Sequence, residues 1–267
     1  NNSNMKNLVL ILTGILFFNS SCTVNKQKQD NAQDHLIMSV LWYQKSAEMK
    51  ALYYQGFNIA QLRMDFYIAN DTSSKPNAVI VDIDETMLDN SPFEAKCIET
   101  GLPYTKESWN KWTNHAQAEA LPGAVEFSNY AKSKNVEVFY ISNRSVQEFE
   151  PTLKNLKEKS FAYADSLHLL LKTTTSNKEE RRMVVQDKYD IVLLIGDNLG
   201  DFAEIFDDRS ENNGFDHVIH FKNQFGERFI VLPNPMYGSW EAPILNFQRD
   251  ISETEKYNLR KAALKGF

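Results

Sequence analysis

The sequence predicts an α/β fold with a parallel β-sheet, and three observations lead to this prediction. Short apolar runs alternate along the chain with segments of helical periodicity. Two of these runs, Ala78–Val81 and Ile191–Ile195, are apolar at every position, as expected for strands inside a parallel sheet. The apolar share of 42% and the charged share of 24% are ordinary for a globular protein. Such alternation predicts βαβ units, which bind ligands beyond the carboxyl ends of their strands.

The N-terminal residues are predicted to lie outside this fold. Leu8–Phe18 is an apolar stretch after one basic residue, too short to span a bilayer, and it predicts a signal peptide over residues 1–22. Cys22 follows a small residue in a pattern that resembles a bacterial lipobox, so it is the expected lipidation site. Asn19 departs from that pattern, and a plain secretory signal with an incidental cysteine is the alternative. Residues 23–34 are polar and predict a flexible tether.

The expected location is therefore a bacterial membrane, namely the outer membrane, with the protein exported and held by a lipid anchor. Residues 35–267 are predicted to form the folded domain. Its core is expected over about 76–90 and 121–250, and a smaller helical cap over about 35–70 and 91–120.

Within that domain, apolar residues recur at helical spacing from Leu36 to Tyr67 and predict one or two helices, followed by a loop over 70–77. Helical structure is expected over 91–120, 121–135, 145–160, 176–189 and 251–264. Strands are expected over 78–83, 136–142, 167–172, 190–198, 216–221 and 228–233.

Carboxylates follow the two most apolar strands. Asp82 and Asp84 end the first, and Asp197 ends the second, with Asp201 four residues later. Side chains at i and i+2 of an extended segment point the same way, so these groups meet if the two strands are neighbours. Packed carboxylates repel one another, whereas Mg²⁺ prefers such oxygen ligands. The sequence therefore predicts a Mg²⁺ site at the carboxyl edge of the sheet.

With these residues the chain resembles a known family. The run from Asp82 to Thr86 resembles the D-x-D-x-T motif of the haloacid dehalogenase (HAD) phosphohydrolases, and "GDNLGD" resembles their fourth motif. "YISNR" resembles the second motif through Ser142. Lys178 is the best match to the third, with Lys172 as a competitor. The lipid signal and the N-terminal helical segment narrow the resemblance to the bacterial class C acid phosphatases, lipoproteins that hydrolyse phosphomonoesters and nucleoside monophosphates.

The resemblance implies a HAD-like Rossmannoid core with a helical cap, Mg²⁺ as cofactor, and an aspartyl-phosphate intermediate at acid to neutral pH. Asp82 is the implied nucleophile and Asp84 the general acid and base. Asp82, the backbone carbonyl of Asp84, and Asp197 are the implied metal ligands, with Asp201 supporting them.

The substrate is implied to be a small-molecule phosphomonoester, including nucleoside 5′-monophosphates. Ser142 and Lys178 are expected to bind its phosphate, and Trp109 and Tyr237 to sandwich its base or ring. Asn143 and Arg144 are further candidates, and Arg144 either orients substrate or pairs with a carboxylate.

Other functions and partners remain as alternatives. A net charge of −6 argues against a nucleic acid polymer as partner. A surface lipoprotein that binds ligands on the same fold would not need both Asp82 and Asp84. A phosphotransferase or mutase fits the export signal poorly. A homodimer is an open alternative for assembly, and Cys97 is expected to be a packed apolar residue.

Overall fold

A five-stranded parallel sheet lies at the centre of this computed structural model, which describes residues 32–267. The strands of the described residues are β1 Asn77–Val81, β2 Leu88–Asp89, β3 Glu119–Ala120, β4 Glu137–Ser145, β5 Leu169–Lys172, β6 Asp190–Gly196 and β7 Phe229–Val231. The α-helices are α1 Ile37–Lys45, α2 Ala47–Ala69, α3 Ser91–Thr100, α4 Lys106–His115, α5 Ala124–Ser133, α6 Phe149–Glu158, α7 Glu179–Gln186, α8 Phe215–His220 and α9 Glu253–Ala263. The predicted α/β class with a parallel sheet is confirmed.

The strand order β5-β4-β1-β6-β7 places β1 in the middle of the sheet. Val81, the last residue of β1, pairs with Tyr140 of β4 on one side and with Ile195 of β6 on the other. The carboxyl ends of these three strands therefore lie at the same edge. The residues that follow β1 and β6 are brought together there, as the carboxylate pattern predicts.

Both faces of the sheet are covered, which explains why β1 is apolar at consecutive positions. Val79 and Val81 belong to the larger core cluster, whereas Ala78 and Ile80 belong to a smaller cluster on the other face with Val185 of α7. Successive side chains of a strand point to opposite faces, so a strand buried on both faces has no polar alternation.

The long helix α2 packs on the sheet as part of the larger core. Its buried residues Tyr53, Phe57, Ala60 and Met64 recur at intervals of three or four, on one side of the helix. A Cβ atom added at Gly56 would lie 2.5 Å from Cδ2 of Leu232, so the helix approaches the chain after β7 closely. The N-terminal helical segment predicted from periodicity thus forms a layer over the strands.

A short antiparallel ribbon closes the segment that follows β1. Leu88 of β2 pairs with Ala120 of β3, and the chain between them carries α3 and α4. The ribbon holds together the two ends of the segment that carries α3 and α4. The helical structure expected over 91–120 is present as these two helices.

The predicted strand at 216–221 is wrong, because this segment is helix α8. Its apolar residues do not alternate between two faces of a sheet. Phe221 packs against Phe206, with ring centroids 5.4 Å apart, whereas Ile219 is exposed. Val218, Ile219 and Phe221, close together near the helix end, produced the strand-like pattern.

The predicted signal peptide, the lipidation site Cys22 and nearly all of the tether over 23–34 lie outside the described residues. Within residues 32–267, no helix combines the length and the apolar character needed to cross a bilayer. Cys97 is buried and unpaired, in line with the expected packing role.

Candidate active site

Three aspartates converge at the carboxyl edge of the sheet. Asp82 follows β1, Asp197 follows β6, and Asp201 lies in the next 3₁₀ turn, Leu199–Asp201. One carboxylate oxygen from each lies within 4.8 Å of the other two. Gly196 permits this turn, since a Cβ atom there would lie 2.2 Å from Oδ2 of Asp201.

Burial sets the electrostatics of this cluster. It raises the pKa of Asp82, although the ion pair with Lys178 opposes the shift. It raises the pKa of Asp197 well above the usual range, and the carboxylates of Asp82 and Asp201 add to the effect. The positive charge of Lys178 therefore does not balance the negative charge of these carboxylates. A hard divalent cation with oxygen ligands, such as Mg²⁺, fits this donor set.

Lys178 lies at the centre of the cluster. It is the N-terminal capping residue of α7 and is 5% exposed. Its Nζ contacts Oδ1 of Asp82 and lies 2.6 Å from Oδ1 of Asp201. Burial lowers the pKa of Lys178, but the two carboxylates raise it overall. Lys172, the competing residue, lines the same cleft at the end of β5 without contacting these carboxylates.

Asp84 is held on both carboxylate oxygens. Arg144 donates to Oδ1 from Nη2 at 2.7 Å and from Nε at 2.9 Å. Asn90 donates to the same oxygen from Nδ2 at 2.8 Å. The hydroxyl of Ser142 donates to Oδ2 at 3.1 Å. Of the two roles open for Arg144, pairing with a carboxylate is the one that the structure displays.

Ser142 and Asn143 sit at the end of β4, in different surroundings. Ser142 is fully buried and its hydroxyl contacts Asp84, whereas Asn143 is exposed and lines the cleft. Arg181 holds this turn by donating to the Ser142 carbonyl at 2.6 Å and to Oδ1 of Asn143 at 2.8 Å. The strand continues to Ser145, three residues beyond its predicted end.

Several supporting residues were missed by the sequence analysis. Asn234 donates to Oδ2 of Asp197 at 2.9 Å, and its Oδ1 accepts from the backbone of Met236 and Tyr237. Asn90 and Arg181 also belong to this group. Asn90 follows the first motif closely and Arg181 lies three residues after Lys178, but such residues at loops and helix surfaces give no distinctive signal.

A buried pair of tyrosines, Tyr43 and Tyr53, holds the loop after Asp84 in place. Glu85 adopts a left-handed conformation, with φ of 56°. The Tyr53 hydroxyl donates to the Glu85 carbonyl at 2.5 Å and lies 2.5 Å from the Tyr43 hydroxyl. The Glu85 carboxylate accepts from the backbone N–H of Asn90 at 2.8 Å. Helices α1 and α2 thus position the first motif.

A cleft of about 980 Å³ extends from the aspartates to an aromatic wall. Trp109, Tyr104 and Tyr237 line it, so the two aromatic residues predicted to hold the substrate share one cleft. Trp109 packs edge-on against Phe93, with ring centroids 5.1 Å apart. Trp112, by contrast, donates from Nε1 to Asn90 and has a structural role.

Comparison with known proteins agrees with this geometry. The family model "HAD superfamily, subfamily IIIB (Acid phosphatase)" matches residues 18–240. The structure superposes on a class C acid phosphatase from Bacillus anthracis with a TM-score of 0.85 and 43% identity, covering 89% of this chain and 99% of the other.

A second solved structure and one plant protein are also similar. The tungstate-bound structure of the Bacillus anthracis enzyme gives a TM-score of 0.84 and 42% identity, with 89% of this chain and 99% of the other covered. The "Stem 31 kDa glycoprotein" of Glycine max is 27% identical over 179 residues, which are 64% of this chain and 64% of that protein. The chain therefore spans slightly less than two thirds of the plant protein's length.

Proposed function

The chain belongs to the acid phosphatases of subfamily IIIB of the HAD superfamily, and from this membership we propose that it hydrolyses phosphomonoesters with Asp82 as the nucleophile. An Asp82 carboxylate oxygen attacks phosphorus and forms an aspartyl-phosphate, while the bond between phosphorus and the leaving oxygen breaks. Asp84 gives a proton to that oxygen, so the alcohol leaves neutral.

The second half of the reaction restores the enzyme. A water oxygen attacks phosphorus, Asp84 takes a proton from that water, and the bond from Asp82 to phosphorus breaks. Inorganic phosphate is released, and Asp84 is again protonated. The contacts from Arg144 and Ser142 support this role, because they fix the Asp84 carboxyl group in one orientation.

The cofactor proposed for this reaction is Mg²⁺. Asp82, Asp197 and Asp201 would hold it, with the backbone carbonyl of Asp84 as a further expected ligand. Three converging carboxylates support this assignment, and burial raises the pKa of two of them, Asp82 and Asp197. When bound, the ion neutralises negative charge on the transferring phosphoryl group.

Lys178 and Ser142, the latter in the last part of β4, are proposed to bind the phosphate. Lys178 already contacts the nucleophile, so its ammonium group is within reach of a phosphoryl group there and would act as a point charge. Ser142 contacts Asp84, and Asn143 lines the cleft. In a relative, one structure carries tungstate, a tetrahedral oxyanion that resembles phosphate in shape.

Nucleoside 5′-monophosphates are the proposed substrates among phosphomonoesters, at acid to neutral pH. Trp109 and Tyr237 line the cleft that begins at the aspartates, and aromatic faces stack on nucleobases. The proposal extends to export and a lipid anchor at Cys22. That part rests on the N-terminal sequence pattern alone.

The observation that carries the proposed reaction is the contact of one buried lysine with both Asp82 and Asp201, beside an Asp84 held by Arg144. The test is release of inorganic phosphate from 4-nitrophenyl phosphate, with Mg²⁺ and with EDTA. We expect turnover that EDTA abolishes and Mg²⁺ restores. Absence of turnover in the presence of Mg²⁺ would contradict the proposal.

A further inference from the structure

Glu94 is a buried carboxyl group in the wall of the substrate cleft that the proposed reaction does not use. It lies on α3 and is 9% exposed, yet it lines the cleft together with Trp109 and Tyr104. Its neighbour Phe93 packs edge-on against both aromatic rings, with centroids 5.1 Å and 6.0 Å away. Glu94 therefore stands beside the aromatic wall, where the leaving group of a substrate would lie.

No partner among the described residues satisfies this carboxyl group. Burial alone raises the pKa of Glu94 to about 7, and no neighbouring charge contributes. Among the described residues, the aspartate cluster and Lys178 form no ion pair or hydrogen bond with Glu94.

Some other charged residues of the cleft are paired with one another. Arg260 lies 2.7 Å from Glu241, and Lys256 lies 2.7 Å from Glu253. These four residues neutralise one another. Glu94 lines the same cleft and forms no ion pair or side-chain hydrogen bond among the described residues.

The chemistry of this position favours a cationic nitrogen. A buried carboxyl group without a partner is unfavourable, and a ligand that donates a charge-assisted hydrogen bond removes that cost. A protonated amine also holds the carboxyl group in its charged form. Aromatic faces attract the same kind of group, and the exposed ring of Tyr104 lines the same cleft as Glu94.

We propose that Glu94 selects phosphomonoesters whose leaving group carries a protonated amine beyond the ester oxygen. This inference rests on the proposed phosphatase activity and adds a substrate class to it. The amine would contact Glu94 while the leaving group packs against the aromatic wall. Substrates without the amine would be hydrolysed at the same aspartates but with lower kcat/KM.

Two aryl esters test the selection directly. Tyramine phosphate and 4-ethylphenyl phosphate share the phenolic leaving group and differ only in the ammonium group. We expect kcat/KM of the wild-type enzyme to be about tenfold higher for tyramine phosphate, the order of one charge-assisted hydrogen bond. Glu94→Gln should reduce this preference to about twofold or less, without changing hydrolysis of 4-ethylphenyl phosphate.

Glu99→Gln is the matched control, since Glu99 lies on the same helix but is exposed and paired with Lys96 at 3.0 Å. It should keep the full preference. Equal kcat/KM for the two esters in the wild type, or an equal preference in the wild type and Glu94→Gln, would overturn the proposal. Activity on 4-ethylphenyl phosphate reports folding of each variant.

A binding measurement separates this inference from the proposed reaction. Calorimetry on Asp82→Asn should give a lower Kd for tyramine phosphate than for 4-ethylphenyl phosphate, and Glu94→Gln in the same background should remove the difference. Equal Kd values would refute the role of Glu94, even if both esters are hydrolysed. If neither ester is hydrolysed, the proposed reaction fails, and the Kd values still decide the role of Glu94.

Discussion

The buried Arg144 forms an ion pair with the partly exposed Asp84, with Nη2 of the arginine 2.7 Å from Oδ1 of the aspartate. The guanidinium group also donates from Nε to Oδ1 at 2.9 Å and to Oδ2 at 3.3 Å. Such contacts to both oxygens fix the plane of the carboxyl group. Arg144 therefore positions the proposed general acid and base, and it need not contact the substrate to affect the rate.

Arg144→Lys is expected to lower kcat most for substrates with poor leaving groups. The lysine keeps a positive charge but cannot make the two-point contact, so Asp84 is oriented less well. Proton donation matters little when the leaving oxygen is already a stable anion. We expect kcat to fall at least about tenfold more for an alkyl phosphate than for 4-nitrophenyl phosphate, with smaller changes in KM. An equal loss of kcat for the two esters would contradict a role in proton transfer.

Asp197→Asn is expected to weaken metal binding. One of three converging carboxylates loses its charge, so the Mg²⁺ concentration for half-maximal activity should rise at least about tenfold. Excess Mg²⁺ should restore part of the activity. Asp187→Asn, at an exposed aspartate after α7, serves as control and should behave as wild type. A Mg²⁺ titration that is the same for Asp197→Asn and wild type would place the metal elsewhere.

Trp109→Ala and Tyr237→Ala test the aromatic wall. Each should raise KM for nucleoside monophosphates by about tenfold to a hundredfold, since stacking on one base is worth roughly 1–3 kcal/mol. KM for a small alkyl phosphate should change little, because the phosphate is bound by other residues. An equal rise in KM for both substrates would show that the ring has a structural role instead. For Trp109, that role would be its packing on Phe93.

Tyr53→Phe is expected to loosen the first motif. The variant loses the hydrogen bond to the Glu85 carbonyl and leaves the Tyr43 hydroxyl without its partner. Loss of a buried hydrogen bond costs roughly 1–3 kcal/mol, which should lower the denaturant midpoint without changing the slope of the transition. We also expect a lower kcat, because Glu85 holds a left-handed conformation between Asp84 and Thr86. Unchanged midpoint and kcat would show that the tyrosine pair does not support the motif.

The centre of the sheet and the convergence of Asp82 with Asp197 could be predicted from the sequence, for a physical reason. Both residues follow apolar runs, Ala78–Val81 and Ile191–Ile195, and such runs form strands in the middle of a parallel sheet. Their carboxyl ends must then meet, which is what the pairing of Val81 with Ile195 produces. The family resemblance added Lys178, which periodicity alone does not distinguish from Lys172.

The long-range contacts that support the site could not be predicted from the sequence. Asn234 reaches Asp197, and Tyr53 reaches Glu85, only because helix and strand packing brings distant segments together. Helix α8 was mistaken for a strand because its few apolar residues fit both periodicities over so short a segment. Glu94 carried no signal, since its burial depends on the segments packed around α3.

The most direct test of the account is to trap the phosphoryl group on the enzyme. Wild-type enzyme is mixed with Mg²⁺ and 4-nitrophenyl phosphate, quenched in acid within one turnover, and reduced with borohydride, which converts an aspartyl-phosphate to homoserine. Peptide mass spectrometry should find homoserine at position 82 and should find none in Asp82→Asn, which should also lose at least about 10⁴-fold in kcat. Phosphate release without any modification at Asp82, or homoserine at another aspartate, would contradict the account.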